Sequence, residues 1–501
     1  MRRINYIYFT SIIFCCSCAS SYKTYQANRK FSKGELQQDY TLLRNILEQK
    51  HPAIYWYTPK QQMDYYFDSL YNNIADSMTE LQFGWKVIAP LTQKIHCGHT
   101  TFSMSNNWNR FIRNKHIPSF PLFVKTWADT MVVTANLNKK DTVFKTGTVI
   151  TAINNVPVKI LQQQMFQYLP ADGYANNINY IRLSSNFPYF HRNIFGVFKN
   201  YRVGFIDSSG VSKTALLPMW SPAPDTAKGH KKRMDTIGEK RSRKQRKQEK
   251  KESYRLLEID SSLNTAIFTL NTFSGGGGRH LRKFIKQTFK KLRRDSIENL
   301  IIDLRSNGGG DIDIYALLTR YIRNTPFKVA DSAYAAAKSL KPFGQYIHQS
   351  FLTNLGLFFL TKKLKDGNYH FGFYERHTYQ PKLNNHFNGK VYVLINGPTF
   401  SASTLFCHAV KGQQNVILAG EETGGGWHGN SGIMIPDFTL PVTKLKVRLP
   451  LFRIVQYNHT PKDGRGVAPD IYIPPTVEGV TKSLDRKMMI VKELIKKGSS
   501  N

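Results

Sequence analysis

Two distant segments carry the residue types that acyl-transfer chemistry needs. In Asn299-Leu-Ile-Ile-Asp-Leu-Arg-Ser-Asn-Gly-Gly-Gly310 and in Asn396-Gly-Pro-Thr-Phe-Ser-Ala-Ser403, an apolar β-type run ends abruptly in small, polar or glycine residues. The second segment leads into an apolar-periodic stretch, Ser401 to Val410, whose spacing predicts a helix. A serine at a strand-to-helix turn sits at the positive end of the helix dipole among free backbone N–H groups. A glycine loop beside it supplies further donors to a developing oxyanion. Acyl transfer requires both within bonding distance of one carbonyl.

The elements that must bring these segments together read as an α/β core. Thr265 to Asn271, Leu300 to Leu304, Lys390 to Ile395 and Val416 to Ala419 are predicted strands. Arg279 to Leu292, Ile312 to Ile322 and Ser401 to Val410 are the helices between them, and Lys444 to Leu449 alternates as a half-exposed strand. Repeated strand–loop–helix units imply parallel strands with a site at their C-terminal ends. Ser274-Gly-Gly-Gly-Gly278 is a turn and not a phosphate loop, because no Gly-Lys-Ser/Thr closes it. Upstream, residues 35–95 show helical apolar spacing (Leu42, Leu43, Ile46, Leu47; Tyr66, Leu70, Ile74; Phe83, Val87, Leu91) and end at Lys94-Ile-His-Cys-Gly-His-Thr-Thr-Phe102. From Pro118 the pattern shifts to short strands: Phe120 to Lys125, Met131 to Ala135, and Gly147 to Val158. A helix-like stretch, Leu161 to Tyr168, follows them.

The chain has 501 residues, enough for two or three domains with cores of their own. Arg2 and Arg3, the apolar Ile4 to Phe14 and Cys15-Cys16-Ser17-Cys18 form a secretory signal of lipoprotein type, with Cys18 as the acceptor. A plain cleaved signal or a short membrane anchor is the alternative. Phe351 to Leu360 is too short to span a bilayer and is interrupted by Thr353, Asn354 and Gly356. Beyond the signal only Cys97 and Cys407 remain, so no disulfide framework is present; the two either pair or stand as buried thiols. The net charge is +36, and Lys228 to Lys251 holds 12 Lys and Arg in 24 residues, read as a solvated loop between domains or as a patch attracted to anionic lipid. No nucleic-acid motif accompanies it, and nucleic acid is not an expected partner.

Four motifs occur in order: Asp303-Leu-Arg-Ser-Asn-Gly-Gly309, Gly397-Pro-Thr-Phe-Ser-Ala-Ser403, Gly420-Glu-Glu-Thr-Gly424 and Gly466-Val-Ala-Pro-Asp470. Together they resemble the tail-specific (C-terminal processing) serine peptidase family. The resemblance implies a ClpP/crotonase-like catalytic domain with an N-terminal helical cap, and Gly147 to Val158 resembles the core of a PDZ domain, which binds peptide termini by strand addition. The implied organisation is a signal over 1–18, a cap over 30–110, a PDZ-like domain over 118–220, a basic flexible linker over 221–255, the peptidase domain over 256–480 and a C-terminal helix and tail over 481–501.

Carried over motif by motif, the nucleophile is Ser401, with Ser403 as competitor, and the oxyanion donors are the N–H groups of Ala402 and of Gly308 or Gly309. The lysine base of the family's Ser/Lys branch falls on Gly426, so activation must come from elsewhere. In the branch resembling tricorn-type peptidases a histidine supplies it, and His99 matches that residue. The family's acidic partner falls on Asp463, although Gly98 replaces the serine that links acid to histidine, leaving Thr100 or a water to bridge. His428 is the rival base and His96 reads as a surface residue, while Asp303 and Arg305 are expected to fix the glycine loop. Cys97 and His99 alone are too few for zinc, and no metal or organic cofactor is implied. The expectation is an exported, lipid-anchored serine endopeptidase of a bacterial cell envelope acting on peptide or protein substrates. A silent peptide-binding protein or an esterase on the same scaffold are the alternatives.

Overall fold

The computed structural model describes residues 25–113, 115–222, 242–276, 279–458 and 460–498. The expected signal with Cys18 and residues 223–241 of the basic run lie outside them. Strands Thr265–Leu270, Asn299–Asp303, Lys390–Ile395, Val416–Gly420 and Ile471–Tyr472 run parallel in one sheet, and Arg255–Asp260 adds an antiparallel edge. Asn299–Asp303 is buried throughout, as a run covered on both faces must be. Its alternate residues divide between two cores. Leu300 and Ile302 face helices Leu281–Arg294, Ile312–Ile322 and Ala402–Val410, while Ile301 meets Val491 and Ile495 of the C-terminal helix Arg486–Gly498. The result is a mixed α/β fold.

The N-terminal helices Lys33–Lys50 and Lys60–Asn72 share the first of those cores through Leu36, Tyr40, Leu43, Leu47 and Phe67. Buried Asp39 fastens them by accepting from Val442 N at 2.9 Å, Thr443 N at 2.8 Å and Thr443 Oγ1 at 2.7 Å. Strand Phe102–Ser103 then pairs with Lys446–Arg448, so the segment that follows His99 is part of a sheet built by the far end of the chain.

Residues 119–220 enclose a separate apolar cluster. Strands Leu122–Trp127, Thr130–Asn136, Val149–Ile153, Asn200–Ile206 and Ser212–Pro218 form an antiparallel sheet, with Val156–Pro157 pairing off Val149–Ile153. Helix Asn177–Phe195 packs on it and is broken at Asn186, just before Pro188, which cannot donate to the helical ladder. The basic run differs from its reading as a loop. Arg243–Glu252 is a helix capped reciprocally by Ser242 and Gln245. Lys, Arg, Gln and Glu are good helix formers once an N-terminal box satisfies the first donors.

Several histidines are buried without charge. His51 Nδ1 accepts the Ala53 N–H, which places the proton on Nε2, and Nε2 donates to Thr100 Oγ1 at 2.8 Å. His191 lies among Phe120, Phe187 and Tyr201, with its Nδ1 unbonded among the described residues. Burial lowers His51 to about 3 and His191 to about 4. Below the unfolded value of about 6.5 the unfolded chain takes up protons that the folded chain refuses. The contribution of these groups is therefore complete above pH ~6.5 and lost as pH falls toward the folded values. Urea unfolding at pH 7.5, 6 and 5 is expected to show this loss. His191→Phe should reduce the slope of stability against pH by up to about 1.4 kcal/mol per pH unit in that window.

Candidate active site

The parallel pairing of Asn299–Asp303 with Lys390–Ile395 delivers the two motif loops to the same end of the sheet. Thr399 Oγ1 donates to Leu304 O at 2.9 Å and Phe400 N to Asn307 O at 3.1 Å, so the loops are bonded to each other before they reach Ser401. Ser401 adopts φ 54 and ψ −125 as the residue preceding helix Ala402–Val410. A non-glycine residue there stores strain of about 1–3 kcal/mol, as on the sharp turns that lift a nucleophile out of the backbone. Ser401 is half-buried and lines a cleft of about 950 Å³. Ser403 is fully buried within the helix and does not line it.

The glycine loop is packed against this turn. Gly309 has φ +94, and a Cβ on it would lie 2.7 Å from Phe400 O, 2.8 Å from Ser401 Cβ and 2.9 Å from Ala402 N. Asn307 sets its course, donating from Nδ2 to Leu270 O and accepting the Gly309 N–H, each at 2.9 Å. That second bond distinguishes the two glycines. The Gly309 N–H is taken by Asn307, leaving Gly308 and Ala402 as the donors with no hydrogen bond among the described residues. Gly308 faces open space and, with Ala402, lines the cleft. Asp303 and Arg305 pair with each other, with Nε–Oδ1 at 2.9 Å and Nη2–Oδ2 at 2.6 Å, and Arg305 also grips Asp485 at 2.6 Å, while the side-chain bond to the Gly309 N–H comes from Asn307.

His99 lines the same cleft as Ser401, with its ring 4.8 Å from that of Phe400. Burial first, then the fields of Arg448 and Arg182, lower it to about 3, so the imidazole is neutral across the physiological range. Its acidic neighbour is Asp172, not Asp463. His99 Nδ1 stands 4.0 Å from Asp172 Oδ1, whereas Asp463 is exposed and its Oδ1 accepts from Arg465 N at 2.8 Å. The backbone accounts for the exchange. His96 O accepts the Gly173 N–H at 2.9 Å, and Tyr174 N donates to Gly464 O at 2.7 Å. This stacks the Asp463 turn outside the Asp172 loop and leaves only Asp172 pointing inward.

Asp172 is buried, and its oxygens accept from Gly98 N at 2.7 Å and Gly426 N at 3.4 Å. Burial nevertheless pushes it up to about 7. Gly98, at the position of the serine in the tricorn-type resemblance, and Gly426, at that of the lysine in the Ser/Lys branch, both serve this carboxylate through the backbone. A Cβ on Gly98 would meet Phe400 Cζ at 2.6 Å, and one on Gly426 would meet Gly429 O at 2.5 Å. Thr100 does not bridge to Asp463, since its hydroxyl pairs with His51. His96 is half-buried, its Nδ1 2.9 Å from Gly173 O, and is no surface residue. His428 contacts Thr460 O at 2.6 Å through Nδ1 and is not among the residues lining the cleft. Asp172 was hidden in sequence because Pro170-Ala-Asp-Gly173 reads as an ordinary turn; Arg182 and Arg448, which line the cleft, carried no motif. The arrangement offers a half-buried hydroxyl on a strained turn, a neutral imidazole backed by a carboxylate, and two free N–H groups.

Residues 264–473 match peptidase family S41. Over nearly its whole length the chain is similar in fold to mature CPAF. It covers 93% of this chain and 99% of the CPAF chain complexed with lactacystin, at 14% identity and a TM-score of 0.60. For a second structure of mature CPAF the shares are 93% and 98%, at 13% identity and a TM-score of 0.58. The photosystem II D1 C-terminal processing protease aligns over 90% of this chain and 97% of its own, at 14% identity and a TM-score of 0.39. No curated protein matches the sequence.

Gly309→Ala should destabilise the fold by about 2 kcal/mol or more, because it adds an unfavourable φ to a backbone collision. Gly308→Ala, whose new methyl enters open space, should leave stability within about 0.5 kcal/mol. Thermal melts of the two variants side by side check the packing of this loop.

Proposed function

We propose that this chain, a serine-type peptidase of family S41, cleaves peptides or the C-terminal regions of proteins through an acyl-enzyme on Ser401. Ser401 Oγ attacks the scissile carbonyl while His99 takes its proton through Nε2. The oxyanion is held by the N–H groups of Gly308 and Ala402. Asp172, when ionised, stabilises the imidazolium and favours the tautomer that leaves Nε2 free. The imidazolium then protonates the departing amine, and water, activated by the same imidazole, releases the acyl group. The observation that carries this reading is the shared cleft, with Ser401 at its strained turn and His99 beside Phe400.

The finer organisation belongs to the same proposal: a ClpP/crotonase-like domain over 256–480, a helical cap over 30–110 and a PDZ-like domain over 118–220. Strand Ser212–Pro218 ends its sheet and exposes Leu216, which supports peptide capture by strand addition. Export and lipid anchoring through Cys18 complete the reading. It is supported by helix Ser350–Leu360, which exposes Phe351, Phe358 and Phe359 beside Lys338, Lys362 and Lys363. Aromatic residues rimmed by lysines suit an anionic membrane surface.

The second reading, a silent peptide-binding protein, draws on Gly426 in place of lysine and on the 4.0 Å gap between His99 and Asp172. Fluorophosphonate labelling of the purified protein separates the two. Labelling that disappears in Ser401→Ala and in His99→Ala supports the peptidase mechanism; a folded wild-type protein that takes up no label supports the silent one. The pH profile tests the role of Asp172. Its carboxyl is protonated below about 7 and ionised above it, so kcat/KM should rise with pH through an acid limb near that value. Asp172→Asn should lower kcat by roughly 10²–10⁴-fold and abolish the limb; a limb that persists would overturn Asp172 as its source.

A further inference from the structure

Three side chains of different chemistry converge behind the wall of the cleft. Cys97, His99 and Asp172 each bring one ligand atom to within 4.8 Å of the others, and all three are buried, at 4%, 8% and 2% exposure. Sequence spacing alone pairs only Cys97 with His99; the fold adds the carboxylate. His99 Nδ1 is buried and makes no hydrogen bond among the described residues.

We propose that this pocket binds a soft divalent cation, Zn²⁺, through Cys97 Sγ, His99 Nδ1 and an Asp172 oxygen, and that the bound ion switches off the Ser401 centre. The donor set is that of a zinc site with three protein ligands and a fourth position for water. Zn–N and Zn–O bonds of about 2.0–2.2 Å and Zn–S of about 2.3 Å require donor separations of roughly 3.3–3.8 Å. The 4.0 Å between His99 Nδ1 and Asp172 Oδ1 closes to that range with a small side-chain rotation. Thiolate and carboxylate together supply two negative charges, which neutralise the ion away from water. His99 is itself part of the cleft wall, so rotation of its ring gives the ion its way in.

Inhibition follows from the imidazole's two nitrogens. Metal on Nδ1 of a neutral ring leaves the single N–H on Nε2, the nitrogen that must accept the Ser401 proton. On binding, Cys97 Sγ–H and any proton on Asp172 pass to solvent, while the Nδ1 proton of the active tautomer is replaced by one on Nε2. No electron changes hands. The same pocket therefore holds His99 in either of two states: Asp172 alone favours the basic nitrogen facing the cleft, and Zn²⁺ blocks it.

The inhibitory half of this proposal rests on His99 acting as the base; the site itself does not. The test uses the purified full chain with Co²⁺ as the spectroscopic probe and Zn²⁺ as the effector, in the wild type, Cys97→Ser and Cys97→Ala. The expected result is a thiolate-to-cobalt charge-transfer band in the wild type that is displaced by Zn²⁺ and absent from both variants. Zn²⁺ should also slow fluorophosphonate labelling of the wild type, with recovery on chelation. The variants should label at the wild-type rate without metal and need at least about tenfold more Zn²⁺ for the same effect. A cobalt band that survives in both folded variants, or no band in the wild type, overturns the site. Equal Zn²⁺ sensitivity in wild type and variants overturns the switch. Protein that binds Co²⁺ through Cys97 but never labels keeps the site and removes the peptidase mechanism on which the switch depends.

Discussion

The structure turns on one backbone registration, the parallel pairing of Asn299–Asp303 with Lys390–Ile395. Each strand ends in a loop that can do nothing alone. A glycine loop without a nucleophile is a turn, and a serine before a helix is a cap. In register, they become one body: Thr399 bonds to Leu304, Phe400 to Asn307, and Gly309 lies against the Cβ of Ser401. Because the side-chain period of a strand is two, a slip by one residue would exchange the faces of Leu300 and Ile301 and part the two loops. The two separate cores on either side of the sheet resist such a slip.

The second constraint is a buried carboxylate reached from three parts of the chain. Asp172 comes from the loop preceding helix Asn177–Phe195, Gly98 and His99 follow the N-terminal helices, and Gly426 belongs to the segment after Val416–Gly420. Burying an acid this deeply is unfavourable unless donors face it. Gly98 and Gly426 provide backbone donors, and they can do so only because neither carries a side chain. The glycines at positions 98 and 426 thus have one physical reason in common. Phe400 fills the space beside Gly98 and also touches His99, so the residue before Ser401 sets the wall of the cleft and the position of the imidazole together.

Much of this was legible in the sequence, and the rest was not, for definable reasons. The helix Ile312–Ile322 and the strand Lys390–Ile395 fall where hydrophobic periodicity puts them, because their apolar faces are decided locally. The loops around Ser401 were readable from small residues next to apolar runs. Asp463 was misassigned as the neighbour of His99 because a motif records order along the chain, whereas which of two stacked turns points inward depends on the Tyr174–Gly464 and Gly173–His96 bonds between distant segments. Gly309 failed as a free donor for a similar reason: Asn307, two residues away, curls back to take its proton. The helix Arg243–Glu252 escaped notice because its stability comes from a cap and from propensity, not from an apolar face.

The glycine at position 426 and the histidine at position 99 are compatible with each other for a steric reason. At position 426 a Cβ would lie 2.5 Å from Gly429 O and 3.5 Å from Asp172 Cβ, so the site of an ammonium group is already closed by backbone and by the carboxylate itself. A lysine there would have to displace the strand that follows. A neutral imidazole entering from the other side needs no such displacement, since His99 reaches the cleft along the Phe400 ring. The carboxylate that excludes the lysine is also the group that can hold a proton or a metal ion against His99 Nδ1. An imidazole with a buried second nitrogen, as the proposed base, is therefore addressable from behind, through whatever occupies the space between Cys97, His99 and Asp172.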